Sequence, residues 1–196
     1  MDHPEEMSSP VRDAANKNAA GVSPVIRGAF SVFEVLALTV ALVLLLNAFV
    51  FRFSVVSGDS MNNTLFDGDR LIISDAFYTP ARGDIIVFQS KDPDLHTDSY
   101  RRLVKRVIAV GGDRVAIYND VVYVNGQALD EPYAFHDFPS TPYMAERTVS
   151  PGCVFVLGDN RAHSEDSRRF VEEVNARLII GKVLFRISPS FGSVYD

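Results

Sequence analysis

The 196-residue chain has one cysteine, Cys153, and no tryptophan. A single thiol excludes an internal disulfide and most zinc sites, which draw on several cysteine or histidine ligands. A basic surplus is also missing. The formal net charge is −6, which excludes a general nucleic-acid surface. No helix-turn-helix pattern precedes residue 50, and no internal repeat is visible. The first 25 residues have few apolar groups and no apolar period; MDHPEEMSSPVRD and NKNAAGVSP are rich in Pro, Ser, Ala, Asn and charge. So little apolar surface cannot offset the entropy of ordering, so residues 1–27 are expected to be a disordered tail.

What the chain does have begins with a long uncharged run. Val35 to Phe51 reads VLALTVALVLLLNAFVF, and extension back to Gly28 gives about 24 residues interrupted by Glu34. A hydrocarbon core of ~30 Å needs ~20 residues at 1.5 Å each. Residues 28–51 are therefore expected to cross a bilayer, with Glu34 near the headgroups. A buried core helix would be shorter and amphipathic. A cleaved leader would have a shorter apolar core and a small-x-small exit, whereas this exit reads NAFVFRFSVV. Arg12, Lys17 and Arg27 precede the run, and only Arg52 follows closely. That bias places the tail in the cytoplasm and the remainder outside a plasma membrane.

Beyond the run the sequence is expected to be mainly β. FRFSVV, DRLIIS, DIIVFQ, LVKRVIAV, RVAIY, VVYV, CVFVL and IIGKVLFRI are short β-rich segments between turn signals. Asn119-Asp120 and Asn125-Gly126 have the chemistry of tight hairpin turns. FVEEVNARL could form one short helix, and residues 132–151, with four prolines, read as a surface loop. An antiparallel, barrel-like β domain over residues 52–196 follows.

SGDSMNNTL, residues 57–65, places a serine beside a flexible glycine soon after the apolar run. A serine hydroxyl attacks poorly until a neighbour takes its proton. Of the four histidines, His3, His96 and His136 lie in the tail or in loop-like sequence; His163 is the serious contender. A lysine can serve if burial in an apolar setting lowers its ordinary pKa of about 10.4 by several units. Alternation along RLVKRVIAV puts Leu103, Lys105, Val107 and Ala109 on one strand face, with Arg102, Val104, Arg106 and Ile108 on the other. Lys105 is the lone charge in that apolar stripe. The same pattern suits a lysine that protects an edge strand from aggregation, so the residues alone leave both roles open. Lys91, in a polar loop, and Lys182, beside Gly181, suit the role less well.

Four blocks now stand in order behind the apolar run: SGDSMNNTL, ARGDIIVF, LVKRVIAVGGD and VLGDNRAHSEDSR. Together they resemble the boxes of the type I signal peptidases, the membrane-anchored Ser/Lys serine proteases of the peptidase S26 family. The resemblance covers most of residues 30–190. It implies that Ser60 is the nucleophile and Lys105 the general base, acting through an acyl-enzyme without metal or cofactor. It implies that Ser164 bonds and orients the Lys105 amine. Asp166 and Arg168, with Arg106, would form a supporting ion pair, and Met61 would pack beneath the binding groove. It further implies that the partners are preprotein signal peptides with small residues before the cut, processed at the bilayer surface.

The match has departures. Asn63 stands where the family often has proline, and Gly111-Gly112-Asp113 replaces its usual proline-glycine-aspartate ending. Some members carry a serine where Gly58 stands, so the Ser60 N–H, with Gly58, is expected to stabilise the oxyanion. Eight residues separate Phe51 from Ser60, a reach of at most ~30 Å, which keeps the nucleophile close to the membrane. Two other readings fit parts of the pattern. One is a soluble self-cleaving Ser-Lys protease; the other is a membrane-tethered β scaffold without protease activity.

Overall fold

A computed structural model describes residues 24–93, 100–135, 143–168 and 172–195. Residues 1–23 of the expected disordered tail, and with them His3, lie outside those residues, as do His96 and His136; residues 24–27, expected in the tail, are helical. Helix α1, Pro24–Val50, carries the apolar run. It starts at a proline, whose missing N–H costs nothing in a first helical turn. Its Gly28–Leu45 stretch has a mean hydropathy of 2.3 and no buried share, and it is long and apolar enough to cross a membrane. Thr39 Oγ1 donates to the Val35 carbonyl at 2.7 Å, which keeps the hydroxyl satisfied without water.

The remaining residues form an all-antiparallel β unit. Its strands are β1 (Arg52–Val55), β2 (Arg70–Ser74), β3 (Ile85–Pro93), β4 (Tyr100–Val110), β5 (Arg114–Tyr118), β6 (Val121–Val124), β7 (Gln127–Ala128), β8 (Met144–Thr148), β9 (Cys153–Leu157), β10 (Val174–Asn175) and β11 (Ile179–Ser188). One sheet runs β1-β2-β11-β3-β4-β9-β10 and the other β7-β6-β5-β8. The sheets curve into a barrel-like β fold without closing on themselves. All eight expected strand segments are strands. Asn119 and Asp120 both have positive φ, as do Asn125 and Gly126. These pairs make the two-residue turns that join β5 to β6 and β6 to β7.

Two local expectations need correction. Within the expected loop at 132–151, residues Met144–Thr148 form β8 and pair with β5. Among its described residues, FVEEVNARL forms no α-helix. Val174 pairs with Val154 of β9, and a single 3-10 turn, Ala176–Leu178, follows. Burying Val174 in the sheet and capping Arg177 N–H with the Asn175 side chain outweigh a modest helical preference.

Three apolar clusters hold the unit together. Met61, Leu65, Leu71, Ile73, Ile85 and Val87 pack beneath the SGDSMNNTL segment. Ile108, Val115, Ile117, Val122, Phe155 and Leu157 form the second cluster, and Ile86, Phe88, Val107, Val154, Val156 and Val174 the third. The strict alternation expected along β4 breaks at a register shift between Val107 and Ala109. Ile108 and Ala109 consequently share one cluster, as an extra bulge residue requires.

Candidate active site

Two chain segments meet at the site: the turn after β1, and β4. Gly58 has φ +88°, a left-handed conformation that favours glycine and lets the chain turn before Ser60. Met61, 1% exposed, anchors the turn in the core. Thr64 N–H and Leu65 N–H both donate to the Met61 carbonyl at 2.9 Å, which winds the segment tightly. Met61 also lines the small cavity beside Ser60.

Lys105 lies on an inner strand, between β3 and β9, and is 2% exposed. That burial excludes the edge-protection role left open by the sequence, which needs a solvent-facing lysine. β9 pairs with β4 only from Arg106 onward, where Arg106 faces Leu157. Lys105 therefore sits where that ladder ends and the chain leaves β9 at Gly158. Its Nζ lies 2.6 Å from Ser60 Oγ and donates to the Val104 carbonyl at 3.0 Å. Burial is the largest influence on the amine. Asp166, Glu165 and Asp159 partly oppose it, and its pKa falls from 10.5 to about 8. A neutral amine that gives one hydrogen to Val104 keeps its lone pair for the Ser60 hydroxyl. The arrangement can generate a serine nucleophile by proton transfer to lysine.

His163, the histidine contender, is exposed, and its Nδ1 lies 3.4 Å from Asn160 Oδ1 rather than at Ser60. Ser164 packs tightly in the site: a Cβ built on Gly158 would lie 2.2 Å from Ser164 Oγ and 2.5 Å from the Ser60 carbonyl. Its buried Oγ makes no hydrogen bond among the described residues, so the expected bond to Lys105 is not formed here. Asp166 and Arg168 do pair, at 2.7 Å. Asp166 also accepts from Gly158 N–H at 3.0 Å, and Arg168 donates to the Arg161 carbonyl at 2.7 Å. The pair fixes the strand exit that carries Ser164.

Arg106 departs from expectation. It pairs with Asp159 through two bonds of 2.9 and 2.7 Å, both groups buried, and stacks 3.9 Å from the Tyr133 ring centre. Two successive residues on an extended strand point to opposite faces, so Lys105 and Arg106 serve different neighbours. Gly58 departs as well. Its N–H donates to Asp67 Oδ1 at 2.8 Å and is unavailable to an oxyanion. The Ser60 N–H has no partner among the described residues.

Four further contributors carried no role in the sequence reading. Asn160 N–H donates to the Ser60 carbonyl and Asn160 Nδ2 to the Asp59 carbonyl, each at 3.1 Å. Thr64 Oγ1 donates to Asp159, tying the nucleophile turn to the Arg106 pair. Arg161, fully buried, pairs with Glu131 through bonds of 2.9 and 2.6 Å. Asp159 and Arg161 sit inside the GDNR block, where a buried ion pair could have been suspected from two opposite charges beside β9. Glu131 had no comparable signal.

The family model for signal peptidases, peptidase S26, matches residues 29–188. The chain belongs to the signal peptidase family, peptidase S26. Signal peptidase I of Bacillus caldolyticus is 42% identical over 165 residues, covering 76% of this chain and 86% of that protein. Probable signal peptidase I-1 of a Synechocystis strain is 39% identical, with coverages of 79% and 80%. A crystal structure of a signal peptidase I from Enterococcus faecalis is 30% identical with a TM-score of 0.45. It covers 54% of this chain and 97% of that one. Within this signal peptidase the matched region spans most of α1, both sheets and every site residue described above.

Proposed function

We propose that this signal peptidase is a type I enzyme, a serine endopeptidase that removes N-terminal signal peptides from preproteins through Ser60 and Lys105. The observation that carries the reading is the 2.6 Å contact between a serine hydroxyl and a lysine amine only 2% exposed. Lys105, neutral, takes the Ser60 proton as Oγ attacks the scissile carbonyl. The Ser60 N–H is available to receive the developing oxyanion, because no group among the described residues competes for it. Protonated Lys105 then donates to the departing amine. An ester on Ser60 remains, and Lys105 activates the water that hydrolyses it. Ser164, whose buried Oγ has no hydrogen-bond partner among the described residues, steadies the amine once Lys105 changes its protonation. Asp166–Arg168 and Arg106–Asp159 hold the two segments that bring these groups together.

The small cavity beside Ser60 has a volume of about 40 Å³ and is lined by Val56, Met61, Val87 and Val104, among others. A cavity this small suits a methyl-sized side chain before the cut better than a large one. Helix α1 anchors the enzyme in a bilayer, with the tail cytoplasmic and the β unit outside. Only eight residues separate Phe51 from Ser60, a reach of at most ~30 Å, which supports cleavage close to the membrane surface. A preprotein held by its own apolar segment presents its cleavage site there.

The test is cleavage of a detergent-dispersed preprotein by the full chain. Parent enzyme should cut, while Ser60→Ala, Lys105→Met and Lys105→Arg should not, because guanidinium stays protonated throughout the working range. Retained cleavage in any of the three would remove that residue from the mechanism.

A further inference from the structure

β4 begins with two adjacent arginines of unlike standing. Arg101 is neutralised by Glu165, with Nη1 at 3.0 Å from Oε2. Arg102 lines the small cavity beside Ser60 and is exposed. Among the described residues it has neither an ion-pair nor a hydrogen-bond partner. Nearby cations on the same scaffold are committed: Lys105 to Ser60 and Val104, Arg106 to Asp159 and Gly83. Apart from Arg102 and Lys105, the cavity wall is uncharged, and Lys105 is engaged with Ser60 and Val104. A peptide whose small residue enters this cavity therefore comes beside Arg102, a cation with no partner among the described residues.

We propose that Arg102 reads charge on the substrate, favouring an acidic side chain and disfavouring a basic one within a few residues on the acyl side of the scissile bond. The inference rests on the proteolytic reading above, since the cavity is the place where the residue before the cut would sit. The guanidinium offers five donors in a planar fork and pairs with no carboxylate among the described residues, so a carboxylate on the peptide is the group it matches. Because Arg102 is exposed, the gain is that of a surface ion pair, roughly two- to fivefold for a matched charge. It weakens as salt rises.

The test uses the full chain in detergent with one preprotein peptide carrying Glu, Gln or Lys at each of the second to sixth positions before the cut. At one or more positions the order of kcat/KM should be Glu above Gln above Lys. The Glu-to-Lys ratio should collapse in Arg102→Gln, invert in Arg102→Glu, recover in Arg102→Lys, and shrink in high salt. The same peptides are then titrated onto Ser60→Ala, and the preference is read as a ratio of Kd. Equal Glu-to-Lys ratios in the parent and Arg102→Gln would overturn the inference while leaving the protease reading intact. A charge preference in Kd without any turnover by the parent would overturn the protease reading alone. Thermal unfolding of each variant separates lost charge from lost fold.

Discussion

Replacing Lys105 with methionine should stabilise the protein near neutral pH while abolishing activity. Burial brings the amine from 10.5 to about 8 in the folded state. The unfolded chain keeps the ordinary value, so below pH 8 folding must carry a charged amine into an unfavourable site. A fall of about 2.5 in pKa at ~1.4 kcal/mol each gives a penalty of roughly 3 kcal/mol at pH 7. Between about 8 and 10.5 the unfolded chain still binds a proton that the folded one has lost. Parental stability therefore rises with pH across that window, and above it the penalty is gone. Methionine matches the stem in length and carries no charge. Urea unfolding of the full chain in one detergent, from pH 6 to 10.5, should show Lys105→Met ahead by up to about 3 kcal/mol at pH 7. The gap should close by pH 10.5. The same depression serves catalysis. At pH 7 about one amine in ten is neutral at a pKa of 8, against roughly one in three thousand at 10.5. Parental kcat/KM should consequently climb about tenfold per pH unit below 8 and then level off. A gap that does not change with pH, or a variant less stable than its parent at pH 7, would refute the reasoning.

Three further substitutions probe the scaffold around the pair. Gly158→Ala would put a methyl 2.2 Å from Ser164 Oγ and 2.5 Å from the Ser60 carbonyl. The resulting displacement should lower kcat by about 10²-fold, as an ångström-scale misplacement can; kinetics within a few-fold of the parent would contradict the close approach. Arg106→Leu leaves Asp159 buried and unpaired, so it should cost about 3–5 kcal/mol in chemical unfolding. Removing both partners together should cost less than that. Met61→Ala empties a fully buried site at the small cavity beside Ser60. It should cost about 2–5 kcal/mol and, in cleavage assays, relax discrimination against larger residues before the cut.

Most of the fold could be read from the sequence because its signals are local. Alternating apolar residues and turn pairs such as Asn125-Gly126 mark strands within a few positions. The strands missed are short or set by distant partners: Val174 is a strand residue because Val154 lies beside it, not because of its neighbours in sequence. At the site, alternation placed Lys105 on an apolar face, but it could not decide between an edge and an inner strand. That distinction depends on β9 lying next to β4, more than forty residues later in the chain. The same long-range geometry decides that Arg106 meets Asp159 rather than Asp166. It also commits the Gly58 N–H to Asp67. Ser60 was singled out by the resemblance of the block around it, which needs no such knowledge.

The most direct measurement is mass spectrometry of the full-length enzyme quenched in acid during turnover of a preprotein peptide. A mass increment equal to the acyl portion of the peptide should appear, hydroxylamine should remove it, and fragmentation should map it to Ser60. It should be absent from Ser60→Ala and from Lys105→Met. Cleavage without any such ester, or an ester on another residue, would contradict the pairing of Ser60 with Lys105 as the catalytic centre.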